Sequence, residues 1–332
     1  MNVVSTRFLY NILRSEVSLM LSRLGIVRVR HLPTFVSIEP CNYCQLRCPE
    51  CPVGQYNSGQ HTEQRERKTL SIEEFKHILE EITPTVHTLQ LYFQGEPLLN
   101  KDIAKMVKLA RDKGLYTIIS TNAQALGEDT AEALTAAGLN RIIISMDGLT
   151  QESYGAYRQG GKIERVLEAL TYLKEAKKKH QTNMLIELQC LRLRSNEHEW
   201  DLLKHSYREL GADILTFKTA QLYNYEHGND MMPTDKRHSR YQLNKDGLWE
   251  RKKRHSFSIP HTAICRRLWT GCVITTKGDV LPCCYDKDSV YSFGNIFTDT
   301  LEHIYHSGKA NRFRKQTLRQ RSSIDICRNC GG

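Results

Sequence analysis

The chain has 332 residues, 40% of them apolar and 25% charged, with 47 Lys and Arg against 37 Asp and Glu for a net charge of +10. That length and apolar fraction support a large domain with its own core plus a smaller module, and exclude a disordered or fibrous chain. Eleven cysteines make an odd count in a chain far longer than a disulfide-dense secreted domain, so the thiols are expected to serve metal in a reducing cytoplasm.

No run reaches the roughly 18 apolar residues of a membrane span and the start lacks a cleavable signal, so a soluble, cytoplasmic protein is expected. Residues 1–32 form an amphipathic segment, with Phe8, Leu9, Ile12, Leu13, Val17, Met20, Leu21 and Leu24 interleaved with Arg7, Arg14 and Arg23. Such a helix caps a barrel or lies on an anionic membrane surface, the cap being the commoner use. Phe35–Ile38 then makes a short strand, and the eleven residues from Cys41 to Cys51 hold four thiols. Within them, Cys44-x3-Cys48-x2-Cys51 can bind three irons of a 4Fe-4S cluster and leave the fourth open to a small molecule.

After a polar loop over 55–69, Ser71-Ile-Glu-Glu74 is a capping box, and Leu70 with Phe75 is its hydrophobic staple. From there β-rich runs at 87–93, 115–121, 141–146, 185–191 and 213–218 alternate with helical patterns at 100–113, 128–138, 162–179 and 197–210. Gly114, Gly138 and Gly211 stand where helix C-termini need a left-handed residue. Six strands with helical crossovers predict an α/β fold with a parallel sheet, either open and doubly wound or a partial barrel. The rhythm stops near residue 220. Residues 221–260 are basic and aperiodic, a linker or substrate-facing insertion. Residues 261–332 carry six more cysteines, with β-like runs at 271–275 and 279–282 and a helical piece near 298–318, and are expected to fold around metal. The expected units are therefore 1–32, 33–220, 221–260 and 261–332.

The positive charge is concentrated. Residues 1–34 carry five Arg against Glu16, residues 236–254 carry eight Lys or Arg against Asp246 and Glu250, and Lys309 to Arg321 holds six basic residues and no acid. As a binding surface this suits an anionic substrate such as a phosphorylated or nucleotide-linked sugar or a phospholipid. No nucleic-acid motif accompanies it, so nucleic acid ranks last among partners.

Cys44-x3-Cys48-x2-Cys51 directly after the first strand, followed by Gly95-Glu96-Pro97 at the end of the second, resembles the radical S-adenosylmethionine superfamily, whose core is a partial (β/α)6 TIM-type barrel. Cys265, Gly278, Cys283 and Cys327-x2-Cys330 resemble the shortened SPASM module called a twitch domain, similar to the arrangement in an aminocyclitol dehydrogenase of that family. The resemblance covers roughly residues 33–332. It implies a catalytic 4Fe-4S cluster on Cys44, Cys48 and Cys51, with S-adenosylmethionine on the open iron. Gly95, Glu96 and Pro97 would take the methionine amino group through backbone carbonyls and the Glu96 carboxylate. Ser145 and Asp147 would contact the ribose, while Ser120, Asn122, Gln189 and Arg194 occupy equivalent strand ends. A second, auxiliary 4Fe-4S cluster would sit on Cys265, Cys283, Cys327 and Cys330, with Cys284 as the alternative to Cys283 and no assigned place for Cys272.

Two departures from the family pattern stand out: Glu50 replaces an apolar or aromatic residue before the third cysteine, and Gln94-Gly95 replaces a glycine pair. Cys41 and Cys190 are expected in the core. The implied activity is reductive cleavage of S-adenosylmethionine to a 5′-deoxyadenosyl radical that abstracts hydrogen from substrate. Dehydrogenation or epimerisation of a sugar, aminocyclitol or glycan-pathway intermediate is the first expectation, and maturation of a ribosomal peptide the second, ranked lower because no leader-binding domain is evident at the start. A flavodoxin- or ferredoxin-type partner would supply electrons, and Lys218, Tyr223 and Tyr225 are candidates for moving a proton. A zinc module or a ferredoxin-like carrier is the alternative from another class, but neither accounts for Gly95-Glu96-Pro97 at a strand end.

Overall fold

The computed structural model describes residues 6–60, 65–252 and 265–330. In chain order the barrel region comprises α1 (Thr6–Arg23), β1 (Phe35–Ile38), α2 (Pro52–Asn57), α3 (Ile72–Ile82), β2 (Thr88–Gln90), α4 (Ile103–Asp112), β3 (Tyr116–Thr121), α5 (Glu128–Ala136), β4 (Arg141–Ser145), α6 (Gln151–Tyr157), α7 (Ile163–Lys179), β5 (Leu185–Arg192), α8 (Trp200–Ser206) and β6 (Ile214–Thr219). A hairpin, β7 (Tyr241–Leu243) with β8 (Trp249–Arg251), follows. The chain then gives α9 (Arg266–Thr270), β9 (Gly271–Ile274), β10 (Val280–Leu281), α10 (Leu301–His306), α11 (Gly308–Gln320) and α12 (Asp325–Arg328).

Strands β1 to β6 pair in sequential order, all parallel, as alternating strands and helices require. This is the partial barrel expected from the sequence. The Ser71 capping box forms with both of its hydrogen bonds, and Leu70 and Phe75 are buried beneath it. Gly114 and Gly138 have positive φ just past the ends of α4 and α5, and Gly211, also at positive φ, follows the turns after α8. Sequence periodicity missed four short helices, α2, α6, α9 and α12, and joined two others: the run near 298–318 breaks at Ser307, whose hydroxyl accepts from the Ala310 amide and starts α11.

The C-terminal segment does more than fold around thiols. β9 runs parallel to β1, Phe35 opposite Gly271 and Ile38 opposite Ile274, so the sheet extends past β1 to eight strands. Leu268, Trp269, Ile274, Leu301 and Phe313 join the same apolar core as Val36, Leu89 and Ile142 of the barrel. Each such buried side chain contributes about 1.5–3 kcal/mol. Among the described residues no helix is long and apolar enough to cross a membrane.

Candidate active site

The loop after β1 returns across the C-terminal ends of the strands. Its start is tied down by a bridge from Cys41 to Thr69 and by the Asn42 side chain, which bonds the Glu66 carbonyl and the Lys68 amide. Cys44 is half-buried, and its Sγ faces the Leu46 amide and the Asn122 side-chain amide, both at 3.4 Å. Cys48 is buried, and Cys51 stands at the start of α2 with Pro52 in its first turn. α2 approaches so closely that a Cβ on Gly54 would lie 2.3 Å from the Cys48 carbonyl oxygen. Burial pushes the Cys44 thiol up to about 12 and raises that of Cys48, so loading metal here releases protons. N–H donors aimed at a sulfur suit a thiolate-bound cluster, whose potential they tune. Among the described residues no three His, Cys, Asp or Glu side chains converge on a single ion-sized point; a 4Fe-4S cube spreads its cysteines wider.

Gly95 has φ +73°, and a Cβ there would stand 2.6 Å from the Cys41 carbonyl oxygen and 2.7 Å from the Tyr43 amide. The residue lets two backbone segments touch. Glu96 is buried, and its carboxylate accepts from Thr121 Oγ1 at 2.5 Å, the Asn122 amide at 2.8 Å and the Leu98 amide at 3.1 Å. Desolvation raises its pKa against those bonds. In this structure the carboxylate therefore anchors the end of β3. Cys41, its thiol pushed up to about 12 by burial, donates to the Glu96 carbonyl at 2.9 Å.

Among the C-terminal thiols, burial raises the pKa values of Cys265, Cys283 and Cys327, and the neighbouring Cys330 adds to each. Cys284 has the Arg267 guanidinium 2.8 Å from its Sγ, and Cys272 is buried in the core. Arg321 reaches Cys330 Sγ at 3.5 Å. This second set gathers thiols from three separate segments beside the open end of the barrel.

Residues 38–187 match the radical SAM superfamily, and residues 265–331 match the SPASM iron-sulfur cluster-binding domain, together more than half of the chain. The chain belongs to the radical SAM superfamily. It is 23% identical over 331 aligned residues to an AdoMet-dependent heme synthase of Methanosarcina barkeri, covering 91% of this chain and 90% of that one. It is 30% identical over 212 residues to a PqqA peptide cyclase of Bradyrhizobium diazoefficiens, covering 61% of this chain and 51% of the cyclase. Its fold is similar to Streptococcus suis SuiB bound to S-adenosylmethionine (TM-score 0.66, 17% identity, 100% of this chain and 79% of that one). It is also similar to BtrN in complex with AdoMet and 2-DOIA (TM-score 0.54, 20% identity, 91% of this chain and 94% of that one). This radical SAM enzyme carries 4Fe-4S clusters and uses S-adenosylmethionine.

The other strand-end residues fall into two groups. Ser145 and Gln189 are register partners across β4 and β5, and their side chains make no hydrogen bond among the described residues, which leaves them open to a ligand. Asp147 is fully buried and already engaged: one oxygen accepts from the Leu191 amide and the other from Arg158 Nε, each at 2.6 Å. Arg158, just after α6, also faces Cys48, so it joins the cysteine loop to the fourth strand. Sequence reasoning missed it; the Gly160-Gly161 turn that follows was the available signal. Arg194 bonds the Met231 and Met232 carbonyls, partly through its own amide, and Asn122 holds Cys44 and Gln45. Cys190 is core, as expected.

The segment after β6 covers the mouth of the radical SAM core. Leu222, Met232 and Tyr241 form an apolar cluster with Leu46 and Cys48, with Cys44 and Cys51 packed against it. Glu50 accepts from the Tyr223 amide at 2.8 Å and from Asn229, and so pins this cover to the cysteine loop. The Tyr241 hydroxyl accepts from the Leu222 amide and donates to Asn329 Oδ1 at 3.0 Å. Asn329 lies between Cys327 and Cys330, and Arg240 bonds its carbonyl oxygen. Tyr241 therefore touches both thiol sets' surroundings.

Proposed function

We propose that this radical SAM enzyme dehydrogenates or epimerises a small polar substrate, a sugar, aminocyclitol or glycan-pathway intermediate. Cys44, Cys48 and Cys51 hold the catalytic cluster, and Cys265, Cys283, Cys327 and Cys330 hold the auxiliary one. Gly95, Glu96 and Pro97 with Ser145, Gln189, Asn122 and Arg194 frame the S-adenosylmethionine, and Asp147 acts mainly by positioning β5 and Arg158. When bound, these groups supply hydrogen-atom abstraction at one end and a site for one electron at the other. The observation that supports the reading is the Tyr241 to Asn329 bond, which ties the stretch between Cys327 and Cys330 to the cover of the mouth. The cover excludes water from the bound substrate. Tyr223, whose amide is held by Glu50 and whose hydroxyl accepts from Lys287 at 2.7 Å, is the side chain set to relay a proton. A flavodoxin- or ferredoxin-type protein delivers the reducing electron.

A second reading, modification of a ribosomal peptide, is supported by the 30% identity to a PqqA peptide cyclase and by the fold shared with SuiB, also solved with its precursor peptide. Anaerobic turnover with dithionite separates the two. A sugar or aminocyclitol that emerges two hydrogens lighter, or with solvent deuterium at an inverted carbon, with one 5′-deoxyadenosine per turnover, is the expected result. Turnover of peptides alone overturns it.

A further inference from the structure

Helix α1 turns polar side chains inward and much of its apolar surface outward. Asn11, Ser15, Ser18 and Ser22 face the protein and are buried, whereas Leu9, Tyr10, Leu13, Val17, Met20 and Leu24 are each more than half exposed. The inner face is held by hydrogen bonds, from Asn11 to both backbone groups of Leu32 and from Ser18 to the Arg28 carbonyl. Leu19 packs into the core and Phe8, Ile12 and Leu21 are half-buried, but the six exposed apolar residues have no packing partner in the core. At 1.5 Å per residue the stripe from Leu9 to Leu24, just past the helix end, runs about 22 Å, and an exposed apolar patch rimmed by charge marks an interaction surface.

Charge indicates what covers it. Arg14, Arg23, Arg28 and Arg30 are exposed beside the stripe. The single acid in residues 6–34, Glu16, is paired with Arg266 at 2.6 Å. An apolar face flanked by arginines is the pattern of a helix lying in the interface of an anionic bilayer. A second copy of the chain fits poorly, because two-fold pairing of this face sets the same arginines against one another with no free acid to answer them. The helix lies across the starts of β1 and β2, with the Phe8 ring 5.9 Å from His87, at the end of the barrel opposite the cysteine loop.

We propose that α1 docks this protein on an anionic lipid surface, its leucines in the boundary between headgroups and acyl chains, its arginines on lipid phosphates, and the active-site mouth turned away from the bilayer. This holds whichever substrate the mouth accepts. The test is co-sedimentation of the full-length, cluster-loaded protein with vesicles of phosphatidylcholine alone or mixed with phosphatidylglycerol. Binding to the mixed vesicles is expected to be about tenfold or more tighter than to phosphatidylcholine, and to weaken as salt rises. L13E/M20E is expected to lose about tenfold or more of it with unchanged melting temperature and iron content, since both side chains point to solvent. R23S/R28S is expected to lose the preference for phosphatidylglycerol. The proposal fails if wild type stays in the supernatant with both vesicles, if L13E/M20E binds like wild type, or if the stripe instead drives a dimer that L13E/M20E separates while neither protein binds vesicles.

Discussion

Cys44, Cys48 and Cys51 come from eight consecutive residues of one loop, whereas Cys265, Cys283, Cys327 and Cys330 are drawn from three segments of a module that β9 joins to β1. The first set is fixed by short-range means: the close approach at Gly54, an amide from Leu46, and one strand-end residue, Asn122. The second depends on the tertiary fold and on Arg321 beside the Cys330 sulfur. A local site survives damage elsewhere, while a gathered one reports on the whole molecule.

The sharpest break of that comparison is the triple Ala variant at Cys44, Cys48 and Cys51. It is expected to make no 5′-deoxyadenosine and to keep about four of about eight irons, because the gathered site stands without the local one; iron assay and product chromatography check this. Cys283→Ala and Cys284→Ala come next. The first is expected to lose about four irons and the second none, since Cys284 faces Arg267, and equal losses would undo the assignment. Arg158→Met leaves the Asp147 carboxylate buried without its cation, at a cost of about 3–5 kcal/mol in thermal unfolding.

The junction between the regions has its own pH signature. His31 is buried with Nε2 on the Trp269 carbonyl just before β9, and desolvation lowers its pKa to about 4. The unfolded chain takes up a proton below about 6.5 while the folded one does not, so stability is full above that pH. It falls as pH drops toward 4, by about 3 kcal/mol at most. Denaturant melts across that range are expected to flatten in His31→Leu relative to wild type. The smallest effect is Tyr241→Phe, which strands the Leu222 amide and frees Asn329 for about 1–2 kcal/mol. Slower iron retention at Cys327 and Cys330 than in wild type would sharpen the link between the two sites; no change would loosen it.

The local site was legible because ligand spacing, strand and turn all lie within a short stretch of sequence. Six strands and their parallel direction were legible for the same reason, each helix and strand carrying its own periodicity, while their order as a partial barrel came from the family resemblance. What escaped depended on distance. Cys283 and Cys284 are told apart only by how the chain leaves β10 at Pro282. Glu39, buried and bonded to Arg65 and to the Thr276 amide, looks ordinary until β9 arrives beside it. The mismatch of α1 was half visible: its leucines stood out, but only the fold reveals that its serines face inward while Leu9, Leu13 and Leu24 face out.

The pairing of β1 with β9 also bears on how the chain is made. Phe35 leaves the ribosome long before its partner Gly271, so one edge of the barrel's first strand stays unpaired for most of synthesis. Bare strand edges recruit other chains, and pairings this remote in sequence close slowly. Overproduction is therefore expected to favour aggregates of nascent protein when translation is fast, with the yield of soluble enzyme rising as elongation is slowed.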